Sequence, residues 1–464
     1  MKLYSENENY KLYQGSMLDI LEVIEPETID SIVTDPPYEL NFMGKGWDNS
    51  GIAFQPSTWT KCYEALKPGG YLLAFGGSRT FHRIACAIED AGFEIRDTIM
   101  WLYGSGFPKS MNIGLAIDKK NGVDNRTGNI VKGMGSNNTT AMKNCLSESQ
   151  EFASEYEERI AQNEWQGWGT ALKPSFEPII VARKPFKCSL VDNVIKNGVG
   201  GINIDECRVE FVDEKDKEFH KKEIDSVLRV KTPHNNSWKN CSNLNNANPQ
   251  NSLGRFPANT ILTYDETDFD EVCGGFPDTK SNGGKTTMSD FSKYNGSMMN
   301  TNNLKEPSAR KESNYIAPCD SGSASRYFYC AKASKKDRDE GLDEFEDGNI
   351  TDGRKAISDR SYLRKETPRK NTHPTVKPTD LMQYLIRLVT PNGGTVLDPF
   401  NGSGSTGKAV MYENKEKNKN YKYIGIELTE EYLPIAKARI EYVSNMKPDD
   451  SQMNIFDLLE KEDS

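Results

Sequence analysis

Two stretches of the chain, from about 1 to 118 and from about 371 to 440, alternate short apolar runs with amphipathic helical segments. In the first stretch, IDSIV and YLLAFGG read as strands, and a third strand is expected within EIRDTIMWLYG. In the second stretch, TVLDPF and YKYIGIEL read as strands between helical segments. Strands that alternate with helices build a parallel sheet with helical crossovers, so we predict an α/β protein.

The residues between these stretches have a different composition. Residues 234 to 251 contain eight Asn in eighteen positions, and residues 281 to 303 are rich in Gly, Ser, Asn and Met. Such segments bury too little apolar surface to order themselves alone. Denser pieces lie between them, and one of these, EPIIVARK, is compatible with a further strand of the first sheet.

Composition excludes several classes of protein. The formal net charge is −10 and the mean hydropathy is −0.70. No apolar run reaches the ~18 residues that cross a bilayer, which argues against a membrane protein. The first residues lack the apolar core of a secretory signal, so we expect a cytoplasmic protein. The nine Cys are scattered and form no CxxC pair, which predicts reduced thiols and no metal site.

The first motif with chemical content is DPPY, which follows the predicted strand IDSIV. Ligands of open parallel sheets bind outside the carboxyl ends of the strands, so a carboxylate and an aromatic ring at this point face a crevice. The alternative is a Pro-rich turn whose Tyr merely covers the core. The residues of this motif are Asp35, Pro36, Pro37 and Tyr38.

A glycine-rich turn, DPFNGSG at 398–404, follows another predicted strand. Glycines at a strand-to-helix turn let backbone N–H groups approach a ligand. Gly402 and Gly404 begin a GxGxxG pattern, and Glu427 ends the next strand about 20 residues on, where an acid accepts hydrogen bonds from ribose hydroxyls. A phosphate-binding P-loop is excluded, because Ala409 stands where that motif needs Ser or Thr to hold magnesium. The turn therefore predicts an adenosine-bearing cofactor.

A third motif, HPTVKP at 373–378, precedes the helix that leads to the glycine-rich turn, and alone it reads as a rigid charged loop. Together, DPPY, HPTVKP, VLDPFNGSGSTGKAV and GIE resemble the amino-group DNA methyltransferases that use S-adenosylmethionine. Their order, with the catalytic motif before the cofactor motif, is similar to the beta arrangement of these enzymes. Middle pieces such as WGTALKPSFEPIIVARKP resemble site-specific enzymes of this kind, including phage and prophage examples.

The resemblance implies a doubly wound, mostly parallel, seven-stranded Rossmann-like sheet that is circularly permuted and carries an inserted target-recognition region. The expected division is a catalytic half at 1–190, the target-recognition region with Asn- and Gly-rich loops at 191–370, a cofactor-binding half at 371–445 and an acidic tail at 446–464. The implied reaction transfers a methyl group from S-adenosylmethionine to the N6 amine of adenine in a specific duplex DNA sequence, after base flipping. Such enzymes occur in restriction–modification systems.

The resemblance also implies roles for single residues. Asp35 and the carbonyl of Pro36 accept hydrogen bonds from the adenine amine, and Tyr38 stacks on the flipped base. HPTVKP approaches the amino-acid end of the cofactor, the glycine-rich turn its methionine portion, and Glu427 its ribose. A short match in QGSMLDIL assigns an acid to its adenine. The expected cofactor-binding residues are Asp19, His373, Thr375, Lys377, Asp398, Phe400, Gly402, Ser403, Gly404 and Glu427.

A basic segment predicts the contact with DNA. Residues 354 to 378 hold eight Lys or Arg against two acids, a local charge of +6, although a solvated loop is the alternative. The expected DNA-binding residues are Arg364, Lys365, Arg369 and Lys370. Trp165, Trp168 and Trp238 are candidates for stacking or for the core. A homodimer is compatible with the resemblance, and a cognate restriction endonuclease is left open.

Four other functions were weighed from the sequence. Cytosine-N4 methylation uses the same geometry, because both reactions methylate an exocyclic amine. Methylation of a protein Gln is the second, but relatives with that activity resemble NPPY instead of the DPPY found here. A DNA-binding protein without catalysis is the third, although it would need neither the acids nor the glycine-rich turn. A nicotinamide dehydrogenase is the fourth; it shares the turn but leaves DPPY and HPTVKP without a role.

Overall fold

In the residues that it describes, a computed structural model of the chain contains nine strands of four or more residues and nine α-helices. Five further strands have two or three residues. The residues described are 2–40, 46–103, 110–123, 160–211, 214, 216–218, 254–263, 278–280, 285–286, 315–316, 321–323, 329–330, 336–346 and 370–446. The chain divides into two compact units. The first unit consists of Met1–Cys207, Ala258–Phe269 and Cys330–Ser464, and the second of Arg208–Pro257 and Asp270–Tyr329.

A ten-stranded sheet forms the first unit, in the order β1-β2-β14-β13-β3-β4-β6-β5-β7-β12. Its strands are β1 Lys2–Glu6, β2 Tyr10–Gln14, β3 Ile29–Thr34, β4 Leu66–Phe75, β5 Glu94–Tyr103, β6 Phe176–Arg183, β7 Thr260–Thr263, β12 Tyr329–Cys330, β13 Thr395–Asp398 and β14 Lys422–Glu427. Strands β2, β14, β13, β3 and β4 run parallel. Strand β6 runs antiparallel to both β4 and β5, and β1 runs antiparallel to β2.

The predicted fold class is confirmed, including the circular permutation. Strand β3 from the front of the chain pairs with β13 from the rear, and β2 pairs with β14. The seven strands from β2 to β5 in the sheet order form the doubly wound core, with β6 as the antiparallel member. Strands β1, β7 and β12 lengthen the edges beyond the predicted seven.

Helices connect these strands and cover the sheet. They are α1 Met17–Leu21, α2 Pro56–Ala65, α3 Phe81–Asp90, α4 Ile113–Lys120, α5 Leu190–Asn197, α6 Lys336–Asp339, α7 Thr379–Val389, α8 Ser405–Lys417 and α9 Leu433–Asn445. Short 3-10 turns lie at Gly46–Asn49, Ile52–Phe54, Asp205–Cys207 and Glu430–Tyr432. A core of buried side chains that includes Trp59, Leu72 and Leu397 packs α2 and α3 against the sheet. Within the described residues, no helix is both long and apolar enough to cross a membrane.

The sequence PSTWTKCYEALKPGG offers Ser57 as a helix N-cap and Gly69 as a helix stop, but the structure places both ends of α2 elsewhere. Gln55 is the N-cap instead, and Pro56 occupies the first turn, where its fixed φ and missing N–H cost nothing. The backbone becomes extended at Leu66, five residues before the predicted strand. Pairing explains the longer strand, because the N–H of Gly69 donates to the carbonyl of Lys184 beyond the end of β6.

The second unit contains two pairs of short antiparallel strands. They are β8 Asp278–Lys280 with β11 Ser321–Ser323, and β9 Lys285–Thr286 with β10 Tyr315–Ile316. A separate bridge joins Val209 to Arg255, whose guanidinium donates to the Asp216 carboxylate at 2.6 Å. The second unit is smaller than the 191–370 expected for target recognition. The first unit takes the residues up to Cys207, those of Ala258–Phe269 and those from Cys330 onward.

Candidate active site

A cavity of about 1010 Å³ opens at the carboxyl ends of β3, β13 and β14. Because these strands are neighbours and parallel, their carboxyl ends lie at one edge of the sheet. Twelve of the fourteen residues predicted from the sequence as catalytic or cofactor-binding line this cavity. They are Asp35, Pro36, Pro37, Tyr38, His373, Thr375, Lys377, Asp398, Phe400, Gly402, Ser403 and Glu427.

Asp398 joins the front and rear halves of the site. It is 2% exposed, and its carboxylate accepts hydrogen bonds of 2.6 Å each from the hydroxyls of Thr34 and Thr406. The backbone N–H of Phe400 donates a third bond at 3.1 Å. Burial raises the pKa of Asp398 to about 6, while these hydrogen bonds favour the ionised form. The contacts tie β3 to the glycine-rich turn and so hold the DPPY motif, which follows β3, beside that turn.

Asp35 extends from the end of β3 and presents one free acceptor. The Lys377 ammonium donates to its Oδ2 at 2.6 Å. Its other oxygen, Oδ1, is buried and has no hydrogen-bond partner among the described residues. A buried acceptor without a partner costs free energy, so a hydrogen-bond donor that reached this oxygen would stabilise it.

Lys377 lies between two carboxylates and two aromatic rings. Its side chain is 8% exposed, and its ammonium is 3.4 Å from Glu177 Oε2 as well as 2.6 Å from Asp35. The ammonium also lies 5.3 Å from the ring centre of Tyr38 and 5.0 Å from that of Phe75. Burial lowers the pKa of Lys377, but the charges of Asp35 and Glu177 outweigh it and leave the pKa raised. The lysine is therefore a fixed cation.

Glu177 is a member of the site that the sequence analysis did not select. It lies at the start of β6 and accepts hydrogen bonds from the hydroxyls of Tyr38 at 2.7 Å and Tyr103 at 3.3 Å. Burial is the largest cause that raises the pKa of Tyr38, and the charges of Asp35 and Glu177 raise it further, so the phenol stays protonated. The available signal was a single acid at the head of an otherwise apolar run, EPIIVAR.

The glycine-rich turn is shaped by close backbone contacts. Gly402 and Gly404 have φ of +51° and +76°, a region that favours glycine. A Cβ on Gly404 would lie 3.0 Å from the Cα of Ala436 in α9. The fully buried Arg439 donates to the carbonyl of Ser403 at 2.6 Å and so clamps the turn from the same helix.

Glu427 closes the far side of the turn at the end of β14. One carboxylate oxygen accepts from the N–H of Gly402, and the other accepts from that of Thr429, each at 2.7 Å. Burial raises the pKa of Glu427 to about 7. Since a carboxylate has about four lone-pair positions, acceptor capacity remains for a ligand in the cavity.

His373 packs against the same turn and stays neutral. Its ring stacks edge-on against Tyr432 with centroids 4.5 Å apart, and a Cβ on Gly402 would meet its Nε2 at 2.9 Å. Burial lowers the pKa of His373 to about 4. The histidine therefore supplies packing and hydrogen bonding, not a positive charge.

Two of the predicted cofactor residues do not line the cavity. Asp19 is exposed on the first turn of α1, where its charge suits the helix N-terminus, and Gly15, Ser16 and Met17 line the cavity instead. Gly404 lies behind the cavity wall, where it contacts α9.

Most of the residues predicted to contact DNA lie outside the described part of the chain. These are Arg364, Lys365 and Arg369, together with Trp238 and the tail after 446. Lys370 is described, and its ammonium donates to the carbonyl of Asp343 at 2.9 Å. Trp165 and Trp168 are exposed and contact each other edge-on with centroids 5.2 Å apart, which excludes them from the core.

The lining of the cavity fits S-adenosylmethionine. Five acidic residues line it against three basic ones, an acidic excess that suits the positive sulfonium of that cofactor. The acids are Asp35, Asp48, Glu177, Asp398 and Glu427, and the bases are Arg79, Lys173 and Lys377. Glu427 offers an acceptor for hydroxyl groups, and Phe400 an apolar surface. The volume is at the upper end of the ~300–1,000 Å³ usual for small-molecule sites, so there is room for a second ligand.

Comparison with known proteins gives the family. The chain matches a DNA methylase family, the N6/N4 methyltransferases, over residues 29–438. Among curated relatives, Type II methyltransferase M.HindIII of Haemophilus influenzae is 26% identical over 144 residues, which are 30% of this chain and 35% of that protein. Type II methyltransferase M2.DpnII of Streptococcus pneumoniae is 36% identical over 94 residues, which are 20% of this chain and 33% of that protein. The alignments thus span about a third of each relative.

Two solved structures superpose weakly on the chain. The cytosine-N4-specific PvuII DNA methyltransferase superposes with a TM-score of 0.38 and 13% identity, covering 96% of this chain and 95% of that one. A crystal structure of the M1.HpyAVI–SAM complex gives a TM-score of 0.35 and 14% identity, covering 93% and 99%. These overlaps are too low to add to the sheet order described above. The cofactor of the family is S-adenosylmethionine, and on the match over 29–438 this chain belongs to the N6/N4 DNA methylase family.

Proposed function

We propose that the chain methylates the N6 amine of adenine at a specific site in duplex DNA, with S-adenosylmethionine as the methyl donor. The observation that carries this proposal is the buried Oδ1 of Asp35, which has no partner among the described residues and belongs to a carboxylate lining the cavity. An exocyclic amine supplies the N–H donor that this oxygen lacks.

Hydrogen bonding by Asp35 prepares the amine for attack. The lone pair of an adenine amine is delocalised into the ring, which makes it a poor nucleophile. Asp35 Oδ1 and the carbonyl of Pro36, acting as acceptors, would localise that lone pair on nitrogen. S-adenosylmethionine supplies a methyl group on a sulfonium sulfur, which leaves as a neutral thioether. Asp35 would also stabilise the positive charge that develops on the amine nitrogen, an electrostatic effect of the kind that usually dominates catalysis. The methylated nitrogen then loses one proton to water, which leaves the neutral N6-methyl amine.

Lys377 and Glu177 would keep Asp35 and Tyr38 in position for this step. Lys377 holds Oδ2 of Asp35, so Oδ1 is the oxygen left for the substrate. Glu177 accepts from the hydroxyl of Tyr38 and so fixes the plane of the ring on which the base would stack. Base-on-aromatic stacking is worth about 1–3 kcal/mol, which offsets part of the cost of removing the base from the duplex.

The DNA-facing parts of the chain are assigned by composition. We infer that the second unit, with its short strands, reads the target sequence, and that Arg364, Lys365, Arg369 and Lys370 bind phosphates. Neutralised phosphates release counterions, so binding of the duplex should weaken steeply as salt rises. A flat response to salt would contradict the assignment of duplex DNA as the substrate.

One experiment tests both the reaction and the base. The protein is incubated with unmethylated plasmid DNA and tritiated S-adenosylmethionine, and the DNA is digested to nucleosides. We expect label in N6-methyl-2′-deoxyadenosine from the native chain and none from Asp35→Ala. Label in N4-methylcytosine would keep the reaction but overturn the base, and no label from the native chain would overturn the proposal. Single-molecule sequencing of DNA from expressing cells then reports the target sequence.

A further inference from the structure

The loop that leads into β6 presents one apolar side chain at the rim of the cavity. Residues 170–176 line the cavity, and among them Leu172 is 93% exposed. Single exposed leucines are common on protein surfaces and need no explanation by themselves. Leu172 differs because, although almost fully exposed, it lines the cavity that also holds Asp35.

The loop is held on both sides of this leucine. On the amino-terminal side, the Ser110 hydroxyl accepts from the N–H of Thr170 at 2.9 Å and from that of Ala171 at 3.3 Å. The Thr170 hydroxyl in turn accepts from the N–H of Met111 at 2.9 Å. On the carboxyl-terminal side, the carbonyl of Ser175 accepts from the N–H of Tyr103 at 2.9 Å. The exposed side chain is therefore carried by an anchored backbone.

Cationic side chains lie on the same rim. Lys173 follows the leucine directly, and Arg79 lines the cavity from the loop after β4. Both are exposed, and neither forms an ion pair with any residue that the structure describes. Two exposed cations that line the same cavity as this leucine suit phosphates that flank a base step.

We propose that Leu172 enters the DNA base stack at the place that the target base leaves, with Lys173 and Arg79 on the flanking phosphates. The inference rests on the proposed function, because it needs a base that moves into the cavity beside Asp35. Removing a base leaves its neighbours unstacked, and an apolar side chain in the gap restores part of the lost contact. Burying a leucine recovers free energy of the same order as this unstacking cost.

The test compares two duplex oligonucleotides that carry the target site identified by sequencing. In one duplex the target adenine is paired, and in the other it faces an abasic position, so it is already unpaired. We expect Leu172→Ala to lower kcat about 10- to 100-fold on the paired duplex, the fold-change that corresponds to losing one buried leucine. On the abasic duplex the same variant should retain activity within about threefold of the native protein, since an adenine without a pairing partner costs less to extrude.

Two further variants serve as controls. Leu172→Met keeps an apolar side chain of similar size and should retain most of the activity on the paired duplex. Ile195→Ala removes a side chain that is 79% exposed on α5 and does not line the cavity, and it should behave as the native protein on both duplexes. Loss of activity in Ile195→Ala equal to that of Leu172→Ala would overturn the inference.

The outcomes separate the inference from the proposed function. If the native protein methylates neither duplex, the proposed function fails first. If the native protein is active and Leu172→Ala is equally slow on both duplexes, or unimpaired on both, then Leu172 does not fill the gap. An equal loss that comes with a change of molecular mass in light scattering would assign Leu172 to a contact between protein copies.

Discussion

Replacing Asp35 with Asn tests whether its two carboxylate oxygens have different roles, with Oδ2 accepting from Lys377 and Oδ1 left for the substrate amine. Lys377 can only donate hydrogen bonds, so it will attract the single oxygen of the Asn amide to the position that Oδ2 occupies. The amide nitrogen must then occupy the position of Oδ1, where it presents N–H donors to the incoming amine. The substitution therefore reverses the polarity of the acceptor, although it changes the shape of the side chain very little.

The size of the effect follows from the two contacts. Removing one preorganised group that stabilises developing charge lowers kcat by about 10²–10³, or about 2.7–4 kcal/mol. Stability should change less, because Lys377 keeps one hydrogen bond to the amide and lies 3.4 Å from Glu177. Exchanging a charged for a neutral hydrogen bond costs about 1 kcal/mol, which corresponds to about 1 °C in Tm for a chain of this length.

The assay is methyl transfer to the target duplex at saturating cofactor, with Tm from circular dichroism as the control for folding. A double variant, Asp35→Asn with Lys377→Met, frees the amide to turn its oxygen toward the amine. We expect it to be faster than Asp35→Asn alone, although Lys377→Met alone slows the native site. An Asp35→Asn variant with native kcat, or a double variant slower than either single one, would refute the reasoning.

Three other substitutions test the surroundings. Gly404→Ala should lower the free energy of unfolding by about 1–3 kcal/mol, because φ is +76° and α9 lies 3.0 Å from the new Cβ. Gly51 has a similar φ of +73° but open space around it, so Gly51→Ala should cost only the free energy of the unfavourable backbone conformation. Chemical denaturation measures both variants. Glu427 has a raised pKa of about 7, so the fold disfavours its ionised form. The contribution of Glu427 to the free energy of unfolding is therefore complete below its ordinary pKa and is lost as the pH rises through 7. S-adenosylmethionine should nevertheless bind more tightly at pH 8 than at pH 6, because the carboxylate is the better acceptor; titration calorimetry should show this difference disappear in Glu427→Gln. Glu177→Gln should keep the hydrogen bond from Tyr38 but weaken it, raising KM for the duplex more than it lowers kcat in steady-state assays.

The elements of the fold follow from local signals in the sequence. Alternating apolar runs predicted β3, β4, β5, β13 and β14, and the strand-like EPIIVARK became β6. Asp35, Asp398 and Glu427 each follow or end such a run, and in a parallel sheet this position already implies one shared edge. Their meeting in one cavity was therefore predictable from strand direction and order alone.

Other features depended on contacts that no local signal carries. Glu177 became part of the site because β6 inserts between β4 and β5 and runs the other way, which brings the start of that strand to the carboxyl ends of its neighbours. Asp19 shows the converse, since a short motif match assigned it to the cofactor whereas the geometry leaves it exposed on α1. A sequence match gives the type of a residue but not the direction of its side chain.

The amino-acid sequence by itself determined the strand-and-helix alternation, the glycine-rich turn and the family, because each depends on residues close together in the chain. Tertiary structure decided which oxygen of Asp35 is free, since that depends on Lys377, which lies 342 positions away. It also decided that Leu172 stands exposed at the cavity rim, because hydrogen bonds to Ser110 and Tyr103 set the path of its loop. Contacts between distant residues form only when the whole sheet assembles, and they select the atoms that can react.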